Sequence, residues 1–278
     1  MRDFALSTSH GKIVGKDSGG HGLPILFLHG NSASQDVFKS QMESGLASKH
    51  RVITLDLPGH GGSQDAVDPQ RTYTLPGYAD AVCEVLEALS IKRAALAGWS
   101  LGGHVALEVA SRWAGVAAIA LTGTPPARPG MEGLMEAFQP HPAFGLLSQA
   151  HLDDEQIAFV ARAMASEPYV ADFQAAIRRT DGQARQILFA SLAAGLATDE
   201  LDFVENSDVP IAIIDGEAEP FSSASFLENV HFKSLWGGHP ARIAQAGHAP
   251  FLESSRAYNA HLAAFLREVE AKQRRLAA

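Results

Sequence analysis

The sequence predicts an α/β protein: a mostly parallel, twisted sheet with helices on both faces and an inserted helical cap. Three observations lead there. Short apolar runs of buried-strand type alternate with segments of helical periodicity, which is how a parallel sheet covered on both faces reads. One of those runs, Ala94-Ala95-Leu96-Ala97, leads directly into the turn Gly98-Trp99-Ser100-Leu101-Gly102 and then into the helix-like Val105 to Ala110. From about residue 127 to 206 the strand rhythm stops, and it resumes afterwards.

Taken in order, Phe4 to Lys16 shows Gly-bounded alternation and predicts an antiparallel hairpin at a sheet edge. Leu23 to Leu28, Arg51 to Leu55, Ala94 to Ala97 and Ala117 to Leu121 follow as buried strands, with an amphipathic helix over Tyr78 to Leu89 between them. Thr124-Pro125-Pro126 breaks the pattern. Met131, Leu134, Met135 and Phe138 then fall at helical spacing, and Asp153 to Ala165 and Tyr169 to Arg179 are also helical in pattern. Strands return at Val209 to Ile214 and Ala241 to Ala244. The expected organisation is a core of residues 1–126 and 207–278, with 127–206 as a cap above the sheet ends. Extra core packing is the alternative role for those helices.

Composition narrows the function classes. The 278 residues are 46% hydrophobic and 19% charged, as in a globular protein with a large core. A net charge of −9 argues against nucleic acid, whose binding needs clustered Lys and Arg. The basic end Lys272 to Arg275 reads as a solvated helix terminus. The single cysteine, Cys83, excludes an internal disulfide framework and fits a reducing compartment. The N-terminal residues lack a signal-peptide pattern. The most hydrophobic window, Ala94 to Ala110, is too short and polar to span a membrane. A cytoplasmic protein without a membrane partner is expected.

The Gly98–Gly102 turn predicts an enzyme. A serine between a strand and a helix sits on a sharp, strained bend, and the flanking glycines are needed where a Cβ would collide with neighbouring backbone. Its hydroxyl is thereby presented at the positive end of a helix. A serine is a poor nucleophile at neutral pH and needs a base. Among the twelve histidines, His248 follows the last predicted strand on a loop set by Gly247 and Pro250. His231 and His239 come earlier in the chain, and His104 belongs to the helix behind the nucleophile, where packing or hydrogen bonding is its expected role. The imidazole needs a carboxylate. The loop Leu121 to Pro126 has none, whereas the loop after Ile211 to Ile214 offers Asp215, Glu217, Glu219 and, farther on, Glu228. Strand-Gly-x-x-acid selects Glu219, with Asp215 second, and gives the chain order Ser100, Glu219, His248. The oxyanion donors expected are the backbone N–H of Leu101 and that of Asn31, in the loop His29 to Ser34. His29 is read as a brace for that loop, and Leu57 to Ser63 as a shaped turn.

These landmarks, His29-Gly30, Asp56 to Gly61, Gly98 to Gly103 and Gly247-His248, resemble the α/β-hydrolase superfamily over almost the whole chain. A narrower set is similar to the metal-independent N-acyl-homoserine lactonases of that fold. It comprises Gly30 to Ser34, Gly98 to His104, Thr122 to Pro126, Arg179 to Arg185, Glu219-Pro220-Phe221 and Ala246 to Phe251. That family uses Ser, Glu and His, which the resemblance carries onto Ser100, Glu219 and His248. It implies opening of a lactone ring through an acyl-enzyme, without cofactor or metal, on a small lactone or ester with an apolar acyl chain. Gly30, Trp99, Met135, Phe138, Phe144 and Leu147 are the substrate-binding residues expected, with core packing the alternative for the apolar side chains. A general carboxylesterase, or a lactonase for other esters, is the competing enzymatic reading, and a non-catalytic ligand binder is a third. Ser100 argues against the Asp-nucleophile dehalogenases and epoxide hydrolases of the same fold. The chain has no His-x-His-x-Asp-His run of the zinc lactonases.

Overall fold

The computed structural model describes residues 1–276. The first two strands, β1 (Arg2–Thr8) and β2 (Gly11–Asp17), pair antiparallel as an edge hairpin. Six more follow among the described residues: β3 (Ile25–Leu28), β4 (Val52–Leu55), β5 (Ala94–Trp99), β6 (Val116–Thr122), β7 (Ile211–Gly216) and β8 (Ala241–Ile243). The sheet order is β1-β2-β4-β3-β5-β6-β7-β8. β2 meets β4 antiparallel, and every pairing from β4 to β8 is parallel.

Burial on both faces explains the unbroken apolar runs. In β3, Ile25 and Phe27 join one core and Leu26 and Leu28 the other, as the two-residue side-chain period requires. In β5, Ala95, Ala97 and Trp99 face the first core while Ala94 and Leu96 face the second. The helix Ser255–Leu276 packs on the first face through Tyr258, Leu262, Phe265, Leu266 and Val269. The helices Leu75–Ala88 and Leu101–Ala110 cover the second.

The helix expected from Tyr78 begins at Leu75. Thr74 caps it, accepting from the Gly77 N–H at 3.0 Å, and Pro76 fits the first turn, where its missing N–H costs no hydrogen bond. Cys83 in this helix is half-buried, and burial pushes its thiol up to about 11, which leaves little thiolate at neutral pH.

Between β6 and β7 the chain is helical: Met131–Ala137, Pro142–Leu147, Asp154–Met164, Val170–Arg179, Gly182–Ala193 and Glu200–Asn206. Buried Arg185 holds part of this region together. Its guanidinium donates to the carbonyls of Gln149 at 2.8 Å and Ala150 at 2.9 Å, and more loosely to the Ser32 hydroxyl at 3.4 Å. It thereby ties the helical segment to the loop after β3. Among the described residues no helix is long and apolar enough to cross a membrane.

Sheet order fixes where a site can form. The chain leaves β3 toward β4 on one side, and leaves β5 toward β6 on the other. The loops at the carboxyl ends of these neighbouring strands therefore diverge and open a crevice.

Candidate active site

Ser100 stands at that crevice, between β5 and the helix Leu101–Ala110, with φ 54° and ψ −122°. Such a backbone costs a non-glycine residue about 1–3 kcal/mol and persists only where its surroundings impose it. Here the Ser100 N–H donates to Thr122 O at 2.8 Å, and its carbonyl accepts from Gly103 N–H at 2.8 Å and Thr124 Oγ1 at 3.0 Å. A Cβ at Gly98 would run into the Gly102 carbonyl, and one at Gly102 into the Leu28 carbonyl. The turn thus needs both glycines for close approach. The Ser100 hydroxyl borders a cavity of about 510 Å³.

The loop after β3 comes close to Ser100 because Gly30 has no side chain. A Cβ there would lie 2.9 Å from the Trp99 ring and 3.2 Å from Ser100 Cβ. His29 braces this loop: its ring accepts from Leu57 N–H at 3.0 Å through Nε2 and donates to Gly30 O at 2.8 Å through Nδ1. Burial holds the His29 pKa below the ordinary value, which keeps Nε2 an acceptor. The Gly30 carbonyl and the Asn31 N–H share one planar peptide, so fixing the first aims the second the opposite way. The Leu101 N–H is at the first position of its helix and has no intrahelical acceptor.

His248 lies on the loop after β8. Its Nδ1 is 2.7 Å from Glu219 Oε2, and both side chains are almost wholly buried. Glu219 Oε1 accepts from the N–H groups of Phe221 at 2.7 Å and Ser222 at 3.2 Å. Burial pushes the Glu219 carboxyl up, but the His248 charge and these hydrogen bonds outweigh it, and the net shift is downward. The carboxylate therefore claims the Nδ1 proton and leaves Nε2 as the basic nitrogen. The loop is anchored by Trp99 Nε1, which donates to His248 O at 2.8 Å, and by Glu253 Oε2, which accepts from Gly247 N–H at 2.6 Å.

Gly123, which follows β6, seats the imidazole. Its φ is +57°, and a Cβ there would be 2.5 Å from His248 Cε1 and 2.6 Å from Nδ1. Gly123→Ala is expected to push the ring off its position and lower kcat by about 10²-fold, the usual cost of a misplacement near 1 Å. Steady-state kinetics, with circular dichroism to verify folding, checks this.

Asp215, the second candidate acid, does not bond His248. Its Oδ1 accepts from Gly123 N–H at 2.7 Å, and Oδ2 lies 3.5 Å from Arg242. Burial, followed by the Glu219 charge, pushes its carboxyl up to about 7. A folded-state pKa above the unfolded value near 4 gives stability that is full in acid and lost as pH rises through about 7. Asp215→Asn keeps an acceptor for Gly123 and removes that loss. It is expected to stabilise the fold by a few kcal/mol at pH 8 and by much less at pH 5, measured by urea unfolding.

Met135, Phe138, Phe144 and Leu147 line the cavity. Trp99 and Gly30, like His248 and Glu219, do not line it. Trp99 is the last residue of β5, and side-chain alternation turns its indole into the core, against Phe173, Phe251 and the His248 ring. Gly30 faces that indole. Asn31 borders the cavity, but its side-chain amide donates to Leu147 O at 3.4 Å. One feature of the wall escaped the sequence reading: His104 Nδ1 lies 2.9 Å from both oxygens of Glu200, and both residues line the cavity. Their separation of 96 positions leaves no local signal.

The sequence profile described as "Alpha/beta hydrolase family" matches residues 25–261. The chain belongs to the α/β-hydrolase family. Several solved structures superpose on 95–97% of it. A crystal structure of an AidH variant, described as an N-acyl homoserine lactonase complexed with N-hexanoyl homoserine, is 40% identical with a TM-score of 0.92, covering 96% of this chain and 97% of that one. AidH complexed with N-butanoyl homoserine is 40% identical with a TM-score of 0.93, covering 97% of each chain. A thermophilic esterase from Thermogutta terrifontis, at 21% identity and a TM-score of 0.77 over 97% of this chain and 99% of its own, shares the fold. Among curated relatives, the AB hydrolase superfamily protein YisY of Bacillus subtilis (strain 168) is 38% identical over 96 residues, 34% of this chain and 35% of that protein. The matches to the first curated relatives span about a third of their length.

Proposed function

We propose that this protein is a serine hydrolase that opens the lactone ring of N-acyl homoserine lactones. The observation that carries this is the end-to-end likeness, at 40% identity, to a lactonase with N-acyl homoserine ligands bound. The site geometry supports it. Ser100 is the proposed nucleophile, His248 the base, and Glu219 the group that fixes the imidazole tautomer and stabilises its charged form. The N–H groups of Asn31 and Leu101 are the proposed oxyanion donors. Helices of residues 127–206 act as the cap, with Met135, Phe138, Phe144 and Leu147 receiving the acyl chain.

His248 Nε2 takes the Ser100 proton as Oγ attacks the lactone carbonyl. The C–O bond of the ring then breaks, and His248 returns the proton to the leaving oxygen. That alcohol stays tethered to the acyl group, so the acyl-enzyme and a nucleophile capable of reclosing the ring are one molecule. Productive turnover needs the tethered hydroxyl to move aside, so that water activated by His248 attacks the ester instead. N-acyl homoserine is released and Ser100 is regenerated.

The test is a comparison of kcat/KM for N-hexanoyl homoserine lactone with that for an aryl hexanoate, with the product identified by mass. Preference for the lactone, and a product one water heavier, is expected. Preference for the aryl ester would move the protein to the carboxylesterase reading.

A further inference from the structure

The cavity wall next to Ser100 carries a second histidine–carboxylate pair that the proposed reaction does not use. His104 lies one helical turn beyond Ser100 in the helix Leu101–Ala110, about 6 Å along its axis. Its Nδ1 donates to buried Glu200, whose Oε2 also accepts from Ala127 N–H at 2.9 Å. In an uncharged imidazole whose Nδ1 proton is held by the carboxylate, Nε2 is the acceptor. Nε2 has no hydrogen-bond partner among the described residues and is not fully buried, and His104 lines the cavity.

Most of the other polar side chains of the wall are hydrogen-bonded to neighbours, leaving Gln139 Oε1 and the Ser100 hydroxyl without a partner among the described residues. Asn31 Nδ2 donates to Leu147 O, Gln139 Nε2 to the carbonyls of Glu219 and Ser222, and Ser148 Oγ to Gly145 O. Thr198 bonds Ser111, and Arg128, at the exposed rim, is 3.8 Å from Glu136. The rest of the wall is apolar, and the Phe138 ring lies 5.7 Å from that of His104. A bare alkyl chain placed here covers an acceptor and offers it nothing, which is unfavourable. A chain carrying a donor satisfies it.

We propose that His104 is a specificity-determining residue, accepting a hydrogen bond from a hydroxyl on the acyl chain close to its amide carbonyl. The distance suits this, because the first substitutable acyl carbons lie just beyond the amide when the lactone carbonyl is at Ser100. Glu200 is a positioning residue that fixes the tautomer. The inference rests on the lactonase reading and refines its substrate to 3-hydroxyacyl homoserine lactones.

The experiment compares kcat/KM for N-(3-hydroxyhexanoyl) and N-hexanoyl homoserine lactone in the wild type, His104→Asn and His104→Gln. Asn places its amide where Nδ1 was and keeps the bond to Glu200, but lacks the atom that faces the cavity. Gln reaches the Nε2 position. Each ratio is taken on one preparation, so any loss of folded protein cancels. The wild type is expected to favour the hydroxylated chain, the ratio to fall about tenfold in His104→Asn, and His104→Gln to keep part of it. A wild-type ratio near unity, or one unchanged in His104→Asn, overturns the proposal while leaving the lactonase reading intact. A wild type that turns over neither lactone overturns that reading and this proposal with it.

Discussion

Ser100→Ala is expected to lower kcat for lactone opening by about a million-fold, the loss seen when the nucleophile of a serine triad is removed. The remaining activity would come from the oxyanion donors and substrate binding alone. The substitution removes one hydroxyl from a side chain that borders the cavity, and the strained backbone at φ 54° is the same for alanine as for serine. Thermal stability should therefore be nearly unchanged. Single-turnover kinetics on the folded variant separates this expectation from a structural defect. Turnover near the wild-type rate would mean that water is activated without Ser100.

Glu219→Gln is expected to lower kcat by about 10⁴-fold with little change in fold, the effect of inverting the tautomer of a triad histidine. The direction follows from the donors around the carboxylate. Phe221 and Ser222 N–H groups both point at Oε1, so a glutamine must keep its oxygen there and turn its amino group toward His248. Nδ1 then becomes the acceptor, the proton moves to Nε2, and the ring loses the lone pair needed at Ser100. The charge that would stabilise the imidazolium is lost as well. Because the Glu219 carboxyl is held below its ordinary value, its contribution to stability is present above about pH 4 and disappears on acidification. Glu219→Gln should accordingly narrow the stability difference between pH 7 and pH 3, as followed by thermal unfolding.

The elements legible in the sequence were those fixed by local pattern. Strands buried on both faces leave unbroken apolar runs, and a strand–turn–helix with tightly spaced glycines leaves Gly98-Trp99-Ser100-Leu101-Gly102. The Glu219 side chain could be anticipated because the loop after β6 has no acid while the loop after β7 has several. The fold brings it to 2.7 Å from His248. What local pattern cannot carry is which face of a strand buried on both sides looks toward the site. Trp99 sits beside Ser100 in sequence, yet alternation along β5 sends its indole into the core, where it anchors the His248 loop. Pairs assembled by topology were equally hidden. His104 meets Glu200, and Asp215 meets Gly123, only because the helical segment and β7 return to the β5–β6 edge. The helix starts at Leu75 rather than Tyr78 because Thr74 caps it and Pro76 fits its first turn.

The central claim is that one serine carries the hydrolysis of the lactone ring. Titration with an alkyl fluorophosphonate, following lactone turnover and mapping the labelled peptide in the same samples, tests it most directly. The account predicts that turnover falls in proportion to label and that the label is on Ser100. Full labelling of Ser100 with lactone turnover intact would contradict it.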